Sequence, residues 1–226
     1  ETSGDSYDLL LDGQGHLHLV VADACGKSVP AALLIALSRN PLRAALARTG
    51  DPAGALSETN RLLASDLAAH QFVAVACATL DPAGRALHLA NAGQVYPALV
   101  RAGVGDDPPT CTFLETPGPR LPLGLVPNLT YEALDVALQP GDLLVCYSDG
   151  LVEATNPAGE PYGFDRLASL LCGLGAYMTP ASDTLNRILA AVTAWAAGDP
   201  HPDDITLVVV RAGIAEPAAQ PPSVTL

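Results

Sequence analysis

Three apolar, β-favouring segments stand out in the hydrophobic pattern, and aspartate borders each of them. Short segments of this kind predict buried β-strands. Residues 19–21 precede Asp23, residues 143–147 precede Asp149, and residues 205–210 follow Asp203 and Asp204. The pattern therefore predicts strands whose ends carry carboxylates.

A β-hairpin is predicted near the start of the chain. Residues 7–11 are typical of a strand, residues 12–15 have the composition of a turn, and residues 17–23 are typical of the returning strand. The antiparallel return brings Asp5 and Asp23 toward the same end of the hairpin. Two carboxylates about 4 Å apart repel each other by a few kcal/mol at intermediate dielectric. A cation between them would reverse the sign of that interaction.

A tight turn and a helix are predicted immediately after this hairpin. Gly26 is suited to the turn, because it adopts backbone conformations that a side chain forbids. Ser28 is the expected N-cap and Pro30 the expected first-turn residue of the helix. We expect Pro41 to kink or break the helix.

Periodicity and turn residues predict the remaining elements. Asp51 is the expected cap of a second helix over residues 52–68. Further helices are predicted over residues 164–172 and 181–197, further strands over residues 72–80, 85–90, 96–101 and 131–138, and a loop over residues 102–110.

Composition narrows the class of protein. The 226 residues suffice for one large or two small domains, and the 49% hydrophobic content is that of a globular chain. The formal net charge of −13 argues against nucleic acid and anionic membranes as partners. There is no apolar run of the roughly 18 to 20 residues that a membrane span needs, and no signal peptide pattern. Since the chain lacks an initiator methionine, we expect it to be a fragment of a longer protein.

The cysteines indicate the redox environment of the chain, and the aspartates indicate its chemistry. The five cysteines are scattered and form no C-x-x-C pair, which predicts free thiols and a cytoplasmic location. Each aspartate taken alone is most simply a turn residue. If the strand ends converge, however, the carboxylates form an all-oxygen site suited to two Mg²⁺ or Mn²⁺ ions, which can clamp a phosphoryl group.

Seven motifs occur in an order that resembles a known family. They are SGDSYD, ADACGKSVPAAL, NAG, LPLG, QPGDLLVCYSDGLVEATN, YGFDRL and DDITLVVV. In this order they resemble the metal-dependent Ser/Thr protein phosphatases of type 2C, in the bacterial branch that includes the sporulation stage II and sigma-factor-regulating phosphatases. The resemblance covers residues 4–211.

The resemblance implies a fold and a set of site residues. The implied fold is α+β, a four-layer α-β-β-α sandwich of two antiparallel sheets flanked by helices. It places the domain at residues 1–211, without the family's first strand, followed by a flexible tail at residues 212–226. Implied metal ligands are Asp23, bridging both ions, the Ala24 carbonyl, Asp149, Asp203 and, through water, Asp5; Gly26, Gly150 and Asp204 support the site.

The chain departs from the family pattern at several positions. Ala24 and Cys25 replace Val-Ser, and Ser28 replaces a glycine, in the turn that the family writes D-V-S-G-K-G. Gln94 stands where a histidine is common, and Ala74 where a threonine is common. Because the Ala24 ligand would be a main-chain carbonyl, and Ala74 and Gln94 are not ligands, we expect altered substrate handling and retained chemistry. A Cys25 thiol close to a metal would tune or poison the site.

The resemblance implies hydrolysis of phosphoserine or phosphothreonine on a protein substrate, an anti-anti-sigma-type regulator, by an output domain downstream of a sensor. Two alternatives remain open. The departures also fit a catalytically silent binding module of the same fold, and the acidic residues also fit a generic Ca²⁺-binding β-domain.

Overall fold

The computed structural model describes residues 4–68, 70–103, 107–175, 179–197 and 204–213. Nine strands and five helices are assigned within these ranges. In chain order they are β1 Asp5–Leu11, β2 Leu17–Ala24, α1 Ser28–Thr49, α2 Pro52–Leu63, β3 Val73–Leu80, β4 Ala86–Ala92, β5 Ala98–Arg101, β6 Thr110–Phe113, β7 Leu134–Ala137, β8 Leu143–Tyr147, α3 Gly150–Glu153, α4 Gly163–Gly175, α5 Ala181–Trp195 and β9 Leu207–Arg211.

The strands form two antiparallel sheets that pack face to face. The first sheet has the order β1-β2-β3-β4-β7 and the second the order β6-β5-β8-β9. One core cluster joins the first sheet to α1 and α2, a second joins the other sheet to α4 and α5, and a third lies between the sheets. The predicted four-layer α-β-β-α sandwich is therefore confirmed.

Alternation along β2 explains how the layers are built. Val20 and Ala22 belong to the core under the helices, whereas Leu19 and Val21 belong to the core between the sheets. Successive side chains of a strand point to opposite faces of the sheet. Asp23 is therefore on the face of the first sheet that is turned toward the second sheet.

The predicted break of α1 at Pro41 and the predicted cap at Ser28 are both wrong. The helix runs from Ser28 to Thr49 without interruption and contains Pro41. Its buried residues on both sides of the proline, including Leu34 and Leu42, pack into the core. This packing outweighs the hydrogen bond that the proline cannot donate to the carbonyl of residue 37. Ser28 is not the N-cap: Lys27 occupies that position, without a side-chain cap.

Other boundaries differ more modestly from the predictions. Asp51 caps α2 as predicted, with its carboxylate 3.0 Å from the Ala53 amide, but the helix ends at Leu63 and not at residue 68. Strand β6 falls in and just beyond the predicted loop, because its alternating polar residues give a weak hydrophobic signal. Strand β7 is only four residues long.

Tyr131 explains why the strand predicted at residues 131–138 is so short. Its hydroxyl donates to the Leu121 carbonyl at 2.8 Å, and its amide donates to Ser57 Oγ at 2.9 Å. These contacts anchor the segment before β7 to α2 and to the loop that contains Leu121. That loop leads to Leu123, which forms a β-bridge with Val73 of β3.

At the other end of the described chain, Ala212 is buried and its backbone bonds to Gly141 and Asp142, while residues 214–226 lie outside the described part. Among the described residues, no helix combines the length and apolar composition that crossing a membrane requires.

Candidate functional site

The β1–β2 hairpin places two carboxylates directly opposite each other. In the antiparallel register Asp5 is the partner of Asp23. Gly4 packs against the same corner: its carbonyl accepts the Ala24 amide at 3.0 Å, and an added Cβ would lie 3.2 Å from the Ala24 carbonyl oxygen and 3.6 Å from Asp23 Oδ1. The predicted approach of Asp5 and Asp23 is therefore present, and the Ala24 carbonyl adjoins it.

The second sheet reaches this corner through two hydroxyl side chains. The Asp5 carboxyl is hydrogen-bonded to the side chains of Ser148 and Thr206, which follow β8 and precede β9 respectively. Ser148 and Thr206 are also joined to each other, since the Thr206 amide donates to Ser148 Oγ at 2.9 Å and the Ser148 amide donates to the Thr206 carbonyl at 3.0 Å. The ends of both sheets therefore meet around Asp5.

The electrostatics of this corner are unfavourable to negative charge. Burial is the largest cause that raises the pKa of Asp5, and the nearby Asp149 and Asp204 carboxylates raise it further. The hydrogen bonds from Ser148 and Thr206 act in the opposite direction, but the net shift is upward. Crowded carboxylates raise one another's pKa in this way unless a cation compensates them.

Asp149 lies at the N-cap position of α3, a single helical turn. Its side chain makes no capping hydrogen bond, while its carbonyl accepts the amides of Val152 and Glu153 at 2.9 Å. Gly150 is the first residue of α3 and is buried. The backbone thus holds this turn.

The turn after Asp23 is held by Cys25. Its sulfur accepts the Phe72 amide at 3.1 Å and contacts the His70 carbonyl at 3.6 Å, and its own amide donates to the Phe72 carbonyl at 3.1 Å. The thiol therefore contacts the segment before β3. Gly26 has the positive φ predicted for it, +93°. Ser28, where the family pattern has glycine, has φ +62°, a conformation that costs a non-glycine residue about 1 kcal/mol or more.

The oxygen ligands at this corner suit a hard divalent cation, but the described residues do not form a complete set of ligands for one. Carboxylate and carbonyl oxygens are the ligands that Mg²⁺ and Mn²⁺ prefer. The described residues bring together Asp5, Asp23, Asp149, Asp204 and the Ala24 carbonyl at one end of the sandwich. Yet among these residues no three His, Cys, Asp or Glu side chains are close enough to hold one ion. Asp203, the remaining predicted ligand, lies outside the described residues.

Sequence reasoning missed the two residues that join the sheets at Asp5. Ser148 directly precedes Asp149, and Thr206 comes two residues after Asp204, so their nearness to the aspartates was the available signal. Ala74 and Gln94, two positions at which the chain departs from the family pattern, also lie near this end. Ala74 is the register partner of Asp23, and Gln94 is buried in the connection after β4.

Solved structures identify the class of protein that this fold defines. The SiaA PP2C domain of Pseudomonas aeruginosa superposes with a TM-score of 0.78 and 25% sequence identity, and the match covers 92% of this chain and 80% of that one. The molecule thus has the fold of the PP2C-type phosphatases, with acidic residues from both sheets at one end.

The family can be stated as well. The family described as Stage II sporulation protein E (SpoIIE) matches residues 13–213, and the chain belongs to it. Similar curated proteins are Protein IcfG of Synechocystis sp., 27% identical over 92% of this chain, and Phosphoserine phosphatase RsbU of Bacillus subtilis, 27% identical over 93%. The chain spans 36% of the length of IcfG and 60% of that of RsbU.

Proposed function

We propose that the chain is a Mn²⁺- or Mg²⁺-dependent protein phosphatase domain that hydrolyses phosphoserine or phosphothreonine. The observation that carries the proposal is the contact across the sandwich: the Asp5 carboxyl of the first sheet bonds Ser148 and Thr206 of the second, beside Asp149 and Asp204. Crowded carboxylates of this kind are unfavourable without a cation and favourable with one.

In this proposal the chain's own residues bind and orient. Asp23, Asp149, Asp203 and the Ala24 carbonyl would hold the two ions, and Asp5 would contribute through water. Bound divalent ions would neutralise the charge of a phosphoryl group and lower the pKa of water. Ser148 and Thr206 lie beside Asp5, and their hydrogen bonding favours its charged carboxylate. Gly26 and Gly150 shape the two turns, and Asp204 supports the site.

The relatives' names and lengths support a phosphoserine substrate and a longer protein, and the anti-anti-sigma type is what the sequence resemblance implies. RsbU is named a phosphoserine phosphatase, and this chain spans only part of RsbU and of IcfG. We infer a phosphorylated protein substrate of the anti-anti-sigma type, a cytoplasmic location, and a sensor domain elsewhere in a longer protein. We place the catalytic unit at residues 1–211 together with Ala212, which is buried and bonds to Gly141 and Asp142.

The test is hydrolysis of a phosphoserine peptide by the purified chain with and without Mn²⁺, in the wild type and in Asp149→Asn. We expect turnover only with the metal. Because even residues that merely support a metal ligand change activity by about 10- to 100-fold, loss of a ligand should lower kcat/KM by about 100-fold or more. Asp135→Asn is the matched control, since Asp135 lies on β7 and its side chain is 77% exposed.

Calorimetric titration with Mn²⁺ separates this function from that of a silent binding module. The module is favoured by the departures from the family pattern at Ala24, Cys25, Ser28 and Gln94. The phosphatase proposal expects Mn²⁺ binding that Asp149→Asn weakens. A chain that binds no Mn²⁺ and hydrolyses nothing, or one in which Asp149→Asn turns over normally, would refute it.

A further inference from the structure

A cavity of about 290 Å³ opens beside the candidate site, and the proposed catalytic residues do not account for it. Its walls come from three separate parts of the chain: the connection after β4, the loop before Leu121, and the start of α4. The lining residues are Gly93, Gln94, Val95, Tyr96, Arg120 and Phe164.

The strand registers place this cavity at the carboxylate end of both sheets. In the first sheet Ala92 pairs with Val75, which adjoins Ala74, the partner of Asp23. Adjacent strands are about 4.8 Å apart, so the end of β4 lies roughly 10 Å from β2 at Asp23. In the second sheet Ala98 pairs with Val145 in antiparallel register, so the connection before β5 adjoins the end of β8, where Asp149 follows.

The wall formed by residues 93–96 is held firmly in place. A Cβ on Gly93 would lie 2.4 Å from Pro122 Cγ, and Gly93 has φ +85°, so only glycine fits this approach. Asn91 closes the turn from the other side, because its side chain accepts the Gln94 amide and donates to the Gln94 carbonyl, both at 2.9 Å. The cavity is therefore preformed and does not depend on a loose loop.

Two residues that line the cavity each have a buried side-chain donor without a hydrogen-bond partner among the described residues. Gln94 is only 6% exposed; its Oε1 accepts the Val95 amide at 2.9 Å, but its Nε2 has no hydrogen-bond partner among the described residues. The Arg120 guanidinium stacks over the Tyr96 ring at 4.7 Å, and its buried Nη1 lies 3.0 Å from Glu115 Oε1 without an aligned hydrogen bond in the described part of the chain. A buried donor without an acceptor is unfavourable, and both residues line the cavity, so an acceptor bound there would be favourable.

The ion pair between Glu115 and Arg120 is weak. Its side chain is 65% exposed, and it also accepts the Tyr96 hydroxyl at 3.2 Å. Exposed ion pairs contribute little to stability. An incoming carboxylate therefore displaces Glu115 from Arg120 at little cost and gains the planar donor group of arginine.

We propose that this cavity binds an acidic side chain of the phosphoprotein, with Arg120 as the residue that determines specificity. This rests on the proposed function, since it names a feature of the substrate of that site. An extended peptide advances about 3.3 Å per residue, so a span of roughly 10 Å places the acidic residue about three positions from the phosphoserine.

The test compares phosphoserine peptides that carry Glu or Gln at each position within four residues of the phosphoserine. We expect the wild-type chain with Mn²⁺ to prefer Glu about tenfold in kcat/KM near the third position, the size of a charge-assisted hydrogen bond that is partly exposed. In Arg120→Met, which keeps the side-chain stem, the Glu-to-Gln ratio should fall to about one. Arg61→Met, on the exposed face of α2, is the matched control and should keep the ratio.

A second variant leaves the cavity wall intact. Glu115→Gln removes the competing carboxylate, so it should raise the Glu-to-Gln ratio above that of the wild type. A wild-type ratio near one at every position overturns the proposal. So does an Arg120→Met chain that turns over both peptides more slowly but keeps the tenfold ratio, since Arg120 would then act on the phosphate itself.

Peptide binding distinguishes this proposal from the proposed function. If no peptide is hydrolysed, the phosphatase proposal fails, and the same Glu-to-Gln ratio is read from the fluorescence anisotropy of labelled peptides bound to the chain. A binding ratio that depends on Arg120 supports the cavity, and one that ignores Arg120 rejects it.

Discussion

A buried ion pair joins α1 to the edge strand β1, and its removal should destabilise the protein measurably. Asp8 is 8% exposed and lies on the face of β1 turned toward the helix. Arg43 Nη1 contacts both of its carboxylate oxygens, at 2.7 and 2.6 Å, and Arg39 Nε lies 3.2 Å from Oδ2. The perturbation is Asp8→Asn, which keeps the shape of the side chain and removes its charge.

The magnitude follows from burial on the two sides of the pair. Removing one partner of a fully buried pair costs about 3–5 kcal/mol. The arginine side chains here are 49% and 38% exposed, so water solvates them once the partner is gone. We therefore expect a loss of about 2 kcal/mol. For a chain of this length that lowers Tm by about 4–8 °C.

Thermal and urea unfolding followed by circular dichroism would measure the effect. The control is Glu58→Gln, which removes the exposed pair between Arg48 and Glu58 and should change stability by less than about 0.5 kcal/mol. A double-mutant cycle of Asp8→Asn with Arg43→Met should give a coupling of about 1 kcal/mol or more. If Asp8→Asn is as stable as the wild type, or if the cycle shows no coupling, the assigned role of the pair is wrong.

Two further predictions concern the core under the helices. Pro41→Ala should stabilise the protein by about 1–3 kcal/mol, because α1 is continuous through this residue and gains an amide donor; an unchanged or lower urea midpoint would contradict this. His18 is fully buried, and that burial lowers its pKa below 6.5 although Asp12 opposes the shift. The unfolded chain thus binds the proton first, and stability should fall as the pH drops below about 6.5. Urea titrations at pH 7.5 and 5.5 should show a smaller pH effect in His18→Gln, and an equal effect would exclude His18 as the cause.

Local signals predicted the hairpin well and the ends of some other elements poorly. The turn at residues 12–15 sets the register, so Asp5 opposite Asp23 followed from residues close together in sequence. The predicted break at Pro41 is absent because core packing of α1 outweighs one missing hydrogen bond. Strand β6 was missed because its apolar pattern is weak. Its antiparallel pairing with β5, and not its own sequence, makes this segment a strand.

The candidate site was likewise predicted only in part from the sequence. The aspartates at the strand ends and the ordered motifs were visible in the sequence, and they suggested a metal-dependent phosphatase. The hydroxyls of Ser148 and Thr206 on Asp5, the contacts of Cys25 with Phe72 and His70, and the cavity bordered by Arg120 were not visible. These contacts join residues that are far apart along the chain.

The sequence by itself determined most of the strands and their flanking aspartates, because turn chemistry and side-chain alternation depend on neighbours within a few residues. Only the tertiary structure decided which strand ends meet and which side chains line the cavity. The reason is that sheet pairing and the burial of apolar surface between the two sheets select among many arrangements that are compatible with the same local pattern.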